Sequence, residues 1–166
     1  MTDISLEVDR GVFIHKVGAI IINDNNVLMV KNDGFPYYYT IGGRVKFGET
    51  SIDAVLRETL EETNVAFVID RLAFIHENFF VADFMENKFC HEIGLYYIMK
   101  KSNELDNLLC NSAFKGFKEH LHWLPINKLS NYPIFPEFYI IELQNLKEEV
   151  VHFVTKDGIT FRAEEA

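Results

Sequence analysis

Short runs of apolar and β-branched residues, separated by polar turns, make up the first forty residues and predict β-strands. Residues 13–22 are β-rich, residues 23–26 have the composition of a turn, and residues 27–31 form the returning strand. A loop is predicted over 33–39, followed by a short strand that leads into a pair of glycines. We therefore expect the chain to begin with a β-sheet region.

The next segment changes to the period of an α-helix. Thr50 is a natural N-cap, with Asp53 at the third helical position completing a variant of the capping box. Asn64 stands where a left-handed C-cap residue belongs. At about 100° per residue one side of this helix carries its less polar residues. They are Ile52, Val55, Leu56, Thr59, Leu60 and Thr63.

The pattern returns to strands after this helix. Residues 65–81 carry enough β-branched and aromatic residues for one long or two short strands, residues 83–87 are a candidate hairpin loop, and residues 89–99 are the partner strand. If 84–87 formed a four-residue loop, Glu92 would lie across from Phe79 and beside Glu77 on one sheet face. Residues 101–118 are polar and predict a long loop near the functional site.

The last third predicts one more helix and a hairpin. Residues 120–124 form a strand, residues 127–129 a helical turn, and residues 136–147 a second helix with its proline near the start. Residues 151–154 and 159–162 flank Asp157 and Gly158 as a C-terminal hairpin. Strands mixed with two separated helices favour a mixed β-sheet flanked by helices.

Composition and length are typical of a globular protein. We expect residues 1–166 to form a single domain with a substantial core, since hydrophobic residues make up 48% and aromatic residues 14% of the chain. No secretory signal is apparent, and the longest aliphatic run, 19–22, is too short to span a bilayer. Cys90 and Cys110 are isolated, which favours reduced cysteines and predicts a cytoplasmic location.

The net charge restricts the partners. A formal charge of −9 disfavours nonspecific binding to nucleic-acid backbone or to anionic membrane. It does not exclude a phosphorylated small molecule, provided that a metal ion neutralises the site locally. The sequence leaves open whether the chain forms a homodimer.

Three glutamates on the predicted helix suggest why a metal would be needed. Glu58, Glu61 and Glu62 fall on one arc of roughly 100°, separate from the apolar side. Two like charges four residues apart cost an isolated helix about 0.2–0.5 kcal/mol. Packing does not require this arrangement, but a hard divalent cation prefers several oxygen ligands and offsets their repulsion.

The segment 43–65 resembles the signature of the Nudix hydrolases. Its matching positions are Gly43, Glu49, Arg57, Glu58, Glu61, Glu62 and Val65. The chain departs from the family pattern at Asn64, where the family has glycine, at Thr59, where a bulkier apolar residue is usual, and at Ile41, which replaces a common proline. Asn is the next-best residue for a left-handed turn, so the helix end is expected to be kept.

The resemblance implies an α/β fold in which a mixed β-sheet is sandwiched between helices. It also implies a Mg²⁺-dependent pyrophosphohydrolase, with Mn²⁺ as a substitute. The metal ligands implied by the motif are Glu58, Glu61 and Glu62, with Glu49 a lesser candidate and a backbone carbonyl near Gly42 a helper. Two supporting roles are implied as well. Arg57 would pair with Glu49 and brace the loop against the helix, and Gly43 would allow the backbone to approach closely.

The general base lies outside the motif in several Nudix enzymes. Glu119, just before a strand and after a polar stretch with Gly116, is the first candidate, and Glu92 is the second. Arg44 and Lys46, in the loop after the glycine pair, are candidates for holding the nonreacting phosphate. Three histidines are alternative phosphate contacts, although each also fits an ordinary strand or surface position. They are His91, His120 and His122.

The substrate is less well defined by the sequence. Aromatic residues at 35 and 37–39 could stack on a nucleobase or serve as ordinary core and rim residues. The leading hypothesis is hydrolysis of a nucleoside diphosphate linked to another moiety, such as a nucleotide sugar. One alternative is a nucleoside-triphosphate sanitising pyrophosphohydrolase that releases pyrophosphate. A different class is a noncatalytic nucleotide sensor with the same fold, which the full set of glutamates disfavours.

Overall fold

The computed structural model describes residues 2–8, 11–82, 85–110 and 112–165. Its regular elements are strands in two sheets and two α-helices. The strands are β1 (Ser5–Val8), β2 (Gly11–Ile20), β3 (Ile22–Asn23), β4 (Asn26–Asn32), β5 (Tyr38–Thr40), β6 (Ile69–Ala82), β7 (Lys88–Met99), β8 (Ala113–Phe114), β9 (Phe117–Pro125), β10 (Ile134–Phe135), β11 (Val151–Lys156) and β12 (Ile159–Arg162). The helices are α1 (Ser51–Thr63) and α2 (Tyr139–Glu142).

Both sheets are mixed. The first has the order β1-β2-β7-β6-β11-β12, in which the pairs β2–β7 and β6–β11 are parallel. The second has the order β10-β5-β4-β9-β8, with β3 paired to β4 and β10 parallel to β5. The two sheets meet where β2 is hydrogen-bonded to the segment that directly follows β5. There the Ala19 N–H donates to the Ile41 carbonyl at 2.8 Å and the Val17 N–H to the Gly43 carbonyl at 2.9 Å.

The helices cover opposite faces of this layer, as strand β4 shows. Its residues Val27 and Met29 belong to the hydrophobic cluster that contains α2, whereas Leu28 and Val30 belong to the cluster that contains Ala54 and Val55 of α1. A strand that is buried on both faces is continuously apolar, which explains this run. The predicted α/β fold, a mixed β-sheet sandwiched between helices, is confirmed.

Two predicted turns are confirmed by their backbone conformation. Asp24 and Asn25 have φ of 45° and 63° and connect β3 to β4, while Asp157 and Gly158 have φ of 54° and 78° and connect β11 to β12. Positive φ at both central residues is the type I′ geometry that suits the twist of a hairpin. The helical turn predicted at 127–129 is also present, within a 3₁₀ helix over Ile126–Asn131.

The register of the β6–β7 hairpin differs from the predicted one. Ala82 pairs with Lys88, so the connection spans 83–87 and not 84–87, and the pairs from Phe74 to Ala82 are displaced by one residue. Glu92 therefore lies opposite Asn78, and Glu77 points to the other face. Residues 83 and 84 of the predicted loop lie outside the described residues.

The second predicted helix is shorter than expected. The α-helix covers only Tyr139–Glu142 of the predicted 136–147. The chain must leave the helix to enter β11 at Val151, parallel to β6, and Arg71 of β6 holds the connection by donating to the Lys147 carbonyl. The predicted loop 101–118 likewise contains a 3₁₀ turn over Leu105–Asn107 and a small β8–β9 hairpin.

No helix within the described residues combines the length and the apolar character needed to cross a bilayer.

Candidate active site

Helix α1 presents the glutamates, and its ends form as the sequence predicts. The Thr50 side chain accepts a hydrogen bond from the Asp53 N–H at 3.1 Å, and Asn64 adopts the left-handed conformation with φ of 60°. Thr59 and Thr63 are buried and donate their hydroxyls to the carbonyls four residues earlier, at 2.5 and 2.6 Å. The helix thereby buries its threonines without unpaired hydroxyls.

Arg57 joins the helix to the preceding loop, as predicted. Its guanidinium donates to both carboxylate oxygens of Glu49, at 2.7 and 3.0 Å, and to the Arg44 carbonyl at 3.2 Å. It also contacts Glu58 at 2.6 Å and Glu61 at 3.2 Å. The bonds from Arg57 lower the pKa of Glu49 to about 2. Glu49 is thus engaged by the arginine, which supports its bracing role more than its lesser candidacy as a metal ligand.

Both glycines are required by close approaches, of Gly42 to the backbone of β2 and of Gly43 to the Glu58 carboxylate. Gly42 has φ of +139°, and a Cβ there would lie 2.2 Å from the Val17 carbonyl oxygen. A Cβ on Gly43 would lie 2.6 Å from the carboxylate carbon of Glu58. The glycine pair therefore lets the loop pass directly beneath the glutamate side chains.

Glu62 lies deepest among the helix glutamates. Its Oε2 accepts a hydrogen bond from the Gly42 N–H at 3.1 Å. Burial raises its pKa well above the usual range, and the negative charges of Glu119 and Glu58 raise it further. Burial also raises the pKa of Glu58, against the opposing effect of Arg57. The structure thus brings together three carboxylates whose charges disfavour one another.

Glu119 belongs to this cluster. It is buried on β9 opposite Asn32, and its Oε1 accepts a hydrogen bond from the Tyr39 phenol. Burial and this bond to Glu119 raise the pKa of Tyr39. Asn32 is fully buried, and its amide donates to the carbonyls of Phe114 and Phe117 at 3.3 and 3.4 Å. These contacts fix the strand that carries Glu119.

Glu92 reaches the cluster only indirectly. Its carboxylate is buried on β7, 3.8 Å from the Lys16 Nζ. The positive charge of Lys16 in turn lowers the pKa of Glu62. Lys16 therefore lies near both the second base candidate and Glu62.

Of the two candidate phosphate contacts, Lys46 lies near the helix glutamates and Arg44 points elsewhere. Lys46 donates its backbone N–H to Glu49 at 2.9 Å, and its charge lowers the pKa of Glu58, so it lies near the cluster. The Arg44 guanidinium instead points to Asp3, at 4.0 Å, and to the Met85 sulfur, at 3.9 Å.

The three histidines make other contacts. His91 stacks on Phe79 with ring centroids 4.3 Å apart, on the face of β7 opposite to Glu92. His120 pairs with Asp33 at 3.1 Å, and His122 packs edge-on against Tyr38. Each of these histidines has a structural partner.

Aromatic and apolar surfaces flank the carboxylates. Phe35 stacks on Tyr37 with centroids 5.5 Å apart, and Tyr37 packs against Tyr39 at 6.3 Å, next to Glu119. Beyond Glu119 along β9 lies a depression of about 370 Å³. Its lining includes Leu28, Leu105, Leu108, Leu121 and Trp123.

The donor chemistry of the cluster fits a hard divalent cation. Glu58 and Glu62 supply carboxylate oxygens with Glu119 nearby, and burial together with the charges of Glu119 and Glu58 raises the pKa of Glu62, against the opposing effect of Lys16. In the residues that the structure describes, no three acidic, histidine or cysteine side chains converge on one point. Arg57 holds Glu58 and Glu61 instead.

Three residues that contribute to this site were not predicted from the sequence. Lys16 is a lone charge in the apolar run 12–20, and this signal marks it as unusual. The sequence predicts Tyr39 only as a candidate stacking residue, and no sequence pattern marks Asn32. Their contacts with Glu119 join positions about eighty residues apart, for which a single sequence carries no signal.

Comparisons with known proteins identify the family and the fold. The sequence model of the family described as NUDIX domain matches residues 13–140. A search of curated proteins gave no match. Among solved structures, a mutator MutT protein from Bacillus halodurans superposes with a TM-score of 0.67 at 15% identity, covering 92% of this chain and 99% of that one.

Two other solved structures carry different substrate names. An ADP-ribose pyrophosphatase from Streptococcus suis has a TM-score of 0.56 at 14% identity, covering 86% of this chain and 98% of that one. A UDP-X diphosphatase has a TM-score of 0.50 at 19% identity, covering 79% of this chain and 58% of that one. At these identities the likeness shows the fold alone.

Proposed function

This chain belongs to the NUDIX domain family and is a pyrophosphohydrolase, and from this premise we propose that it is a Mg²⁺-dependent enzyme acting on a nucleoside diphosphate linked to another moiety. The observation that carries the proposal is the position of Glu58 and Glu62 of α1 beside the glycine loop, with Glu119 close enough that its charge raises the pKa of Glu62. A diphosphate carries several negative oxygens, and three carboxylates alone would repel it. Mg²⁺, with Mn²⁺ as a substitute, would screen this charge and lower the pKa of a bound water.

The residues divide into ligands and supports. Glu58, Glu61 and Glu62 are the proposed metal ligands, and a cation would compete with Arg57 for the first two. Arg57 and the glycine pair hold the loop and the helix in register, so we assign them support. Lys46 is the better placed of the two proposed phosphate contacts because its charge reaches Glu58.

Glu119 is the proposed general base. A base must reach the attacking water directly or through one bridging molecule, and Glu119 lies close enough to Glu62 to raise its pKa. The Tyr39 hydroxyl holds one oxygen of the carboxylate and leaves the other available. Glu92 remains the second candidate, and its carboxylate lies 3.8 Å from the Lys16 Nζ.

The nonphosphate part of the substrate has two neighbouring surfaces. Tyr39 links the rings of Phe35 and Tyr37 to Glu119, and the depression beside Leu121 and Trp123 follows Glu119 along β9. A planar base or a sugar with one apolar face suits such surfaces. The solved neighbours are named for a mutator protein, ADP-ribose and a UDP-linked group, and these names define the substrate panel for the test.

The test is a substrate panel with product identification. ADP-ribose, UDP-sugars and the common nucleoside triphosphates are incubated with enzyme and Mg²⁺, and products are separated by chromatography. A linked substrate should give a nucleoside monophosphate and a phosphorylated moiety. Release of pyrophosphate from a triphosphate would instead support the sanitising alternative. Activity should vanish with chelator and return with Mg²⁺ or Mn²⁺, and full activity in excess chelator would contradict the mechanism.

Substitutions separate the roles of the carboxylates. Glu58→Gln and Glu62→Gln should each lower kcat by several decades, while Glu137→Gln, an exposed glutamate outside the site, should not. Glu119→Gln should lower kcat by about 10²–10⁴ with little change in metal affinity, and Glu92→Gln should be milder. Near-normal kcat in Glu119→Gln would remove it as the base.

A further inference from the structure

Lys16 of β2 is a basic side chain beside the candidate active site that has no role in the reaction as described so far. It is the lone lysine or arginine of the run 12–20, in which Ile14 and Val17 are buried core residues. Its side chain is 27% exposed, so the aliphatic stem is covered while the ammonium stays in contact with solvent. A charge that is largely removed from water needs a partner.

The backbone places Lys16 next to the glycine loop. The following residue, Val17, donates its N–H to the Gly43 carbonyl at 2.9 Å. Gly42 in turn donates its N–H to a carboxylate oxygen of Glu62 at 3.1 Å. Lys16 is therefore connected to the Glu62 carboxylate through two successive backbone contacts. Burial raises the pKa of Glu62, and the positive charge of Lys16 opposes that rise, as its proximity requires.

The ammonium of Lys16 has hydrogen-bond donors that no residue in the described part of the chain accepts. Its Nζ lies 3.8 Å from a Glu92 carboxylate oxygen, which is an ion pair without a hydrogen bond. The Arg57 guanidinium, by contrast, donates to Glu49 at 2.7 and 3.0 Å and to Glu58 at 2.6 Å. An ammonium group carries three N–H donors, so Lys16 is able to bind an anionic ligand.

Lys16 and Lys46 act on different carboxylates of α1. The charge of Lys46 opposes the raised pKa of Glu58, whereas the charge of Lys16 opposes that of Glu62. These two glutamates are four residues apart, which is about 6 Å along the helix axis. The two phosphoryl groups of a diphosphate share one bridging oxygen. A diphosphate bound along the helix would therefore have one phosphoryl group near each lysine.

The position of the base determines which phosphoryl group lies at Lys16. The negative charge of Glu119 acts on Glu62, so Glu119 is at the same end of the site as Lys16. Glu92, the second base candidate, is also at this end, 3.8 Å from the Lys16 Nζ. A base must reach the attacking water, so for either candidate the attacked phosphorus lies near Lys16. The nonreacting phosphoryl group is then left for Lys46.

We propose that Lys16 is a catalytic residue that donates hydrogen bonds to the phosphoryl group under attack, an inference that rests on the proposed function. The water oxygen bonds to phosphorus, its proton passes to the base, and the bond from phosphorus to the bridging oxygen breaks with the electron pair leaving on the departing phosphoryl group. Charge on the three equatorial oxygens persists in the transition state, and an ammonium fixed beside them stabilises it. Glu92 holds the ammonium in place.

Lys16→Met removes the charge and keeps the length of the side chain. On a substrate identified by the panel, kcat should fall by about 10²–10³, the range for removing one donor to a transition-state oxyanion. KM should rise by about tenfold at most, the equivalent of one hydrogen bond to a charged group. Lys16→Arg keeps the charge and should recover part of kcat. Lys46→Met should raise KM more than it lowers kcat. Lys128→Met, which changes an exposed lysine outside the site, is the matched control and should behave as the wild type.

A purely structural role of Lys16 predicts a different pattern. If Lys16 only held Glu92, Lys16→Met and Glu92→Gln would lower kcat equally, and the double variant would be no slower than either. We expect Lys16→Met and the double variant to be much slower than Glu92→Gln. The double variant leaves no unpaired carboxylate, so its comparison with Glu92→Gln decides the matter if Lys16→Met alone does not fold. Circular dichroism and thermal melting show whether each variant is folded.

Calorimetry with methylenediphosphonate, a diphosphate analogue that is not hydrolysed, separates this inference from the proposed function. In the presence of Mg²⁺ the wild-type protein should bind it, and Lys16→Met should bind it about tenfold more weakly. If no member of the panel is hydrolysed, the proposed function fails and this binding comparison decides the role of Lys16. A folded Lys16→Met with the wild-type kcat overturns the inference, as does, where nothing is hydrolysed, one with the wild-type affinity. A wild-type protein that neither hydrolyses the panel nor binds methylenediphosphonate overturns both.

Discussion

Arg57 is the residue on which the geometry of the site most depends. It neutralises Glu49 through two hydrogen bonds and shares its remaining donors between Glu58, Glu61 and the Arg44 carbonyl. Five contacts from one planar group match the fixed fork of a guanidinium. The side chain therefore sets the distance between the loop and the helix, in addition to balancing charge.

Arg57→Ala should lower both stability and kcat. Charge-assisted hydrogen bonds are worth about 1.5–3 kcal/mol, and partial exposure reduces that figure, so we expect a loss of about 1–3 kcal/mol. In a chain of this length each kcal/mol corresponds to about 2–4 °C in Tm, which calorimetry can measure. Arg57→Lys should recover only part of the loss, since an ammonium cannot bond both Glu49 oxygens at once.

Arg44→Ala is the control for this change. Its guanidinium makes longer contacts, at 4.0 Å to Asp3 and 3.9 Å to Met85, and should contribute little to stability. If Arg57→Ala and Arg44→Ala melted at the same temperature as the wild type, Arg57 would not be a brace.

Helix α1 shows how a departure from the family pattern is tolerated. Asn64 replaces the usual glycine, yet it takes φ of 60° and its N–H donates to the Leu60 carbonyl at 2.9 Å. Asn visits the left-handed region more readily than other residues with a side chain. The helix end is thus kept without the glycine.

Asn64→Gly should therefore leave stability and activity close to the wild type. Asn64→Val should cost about 1–2 kcal/mol, because a β-branched residue is strained in the left-handed region. Urea unfolding of the two variants gives the comparison, and each serves as the control for the other. Equal stability of the two would show that the left-handed cap does not matter for this helix.

The elements also show how far the sequence could predict the site. Local patterns sufficed for α1, its caps and the turns at Asp24 and Asp157, whereas the bond between Arg57 and Glu49 was implied by the family resemblance. The register inferred from a loop of 84–87 is wrong, because one extra loop residue displaces the pairs next to the loop and propensity does not determine loop length.

Local sequence patterns could not predict contacts between strands that are distant in the sequence. Tyr39 and Glu119 meet only because β4 pairs with both β5 and β9. The second helix was overestimated because its pattern continues after α2 has ended, where β11 must start alongside β6. Tertiary pairing overrides helix propensity there.

At the scale of the whole molecule, the glycine loop is the joint between three parts. Gly43 accepts a hydrogen bond from Val17 of the first sheet, its neighbour Gly42 donates to Glu62 of α1, and Ile41 continues from β5 of the second sheet. Both sheets and helix α1 are therefore coupled at the carboxylates. A loss of packing in any of the three parts would therefore shift the positions of the carboxylates.

A buried histidine makes the stability of the whole molecule depend on pH. His76 is 4% exposed, its Nε2 lies 2.7 Å from the Thr155 hydroxyl, and its ring packs on Phe138. Burial lowers its pKa to about 3, and the positive charges of Lys16 and His152 contribute. The folded protein keeps His76 neutral at pH values where the unfolded chain, with a histidine pKa near 6.5, binds a proton.

Stability should therefore fall as the pH falls from about 6.5 towards 3, because over this window the unfolded state binds the extra proton. The loss is about 1.4 kcal/mol per pH unit for one histidine, or about 2 kcal/mol between pH 7 and pH 5. His76→Gln, which can still bond Thr155, should lose about 2 kcal/mol less than the wild type over this interval in urea unfolding. Parallel slopes for His76→Gln and the wild type would mean that His76 takes up its proton without unfolding, and that the core around Phe138 admits a charge.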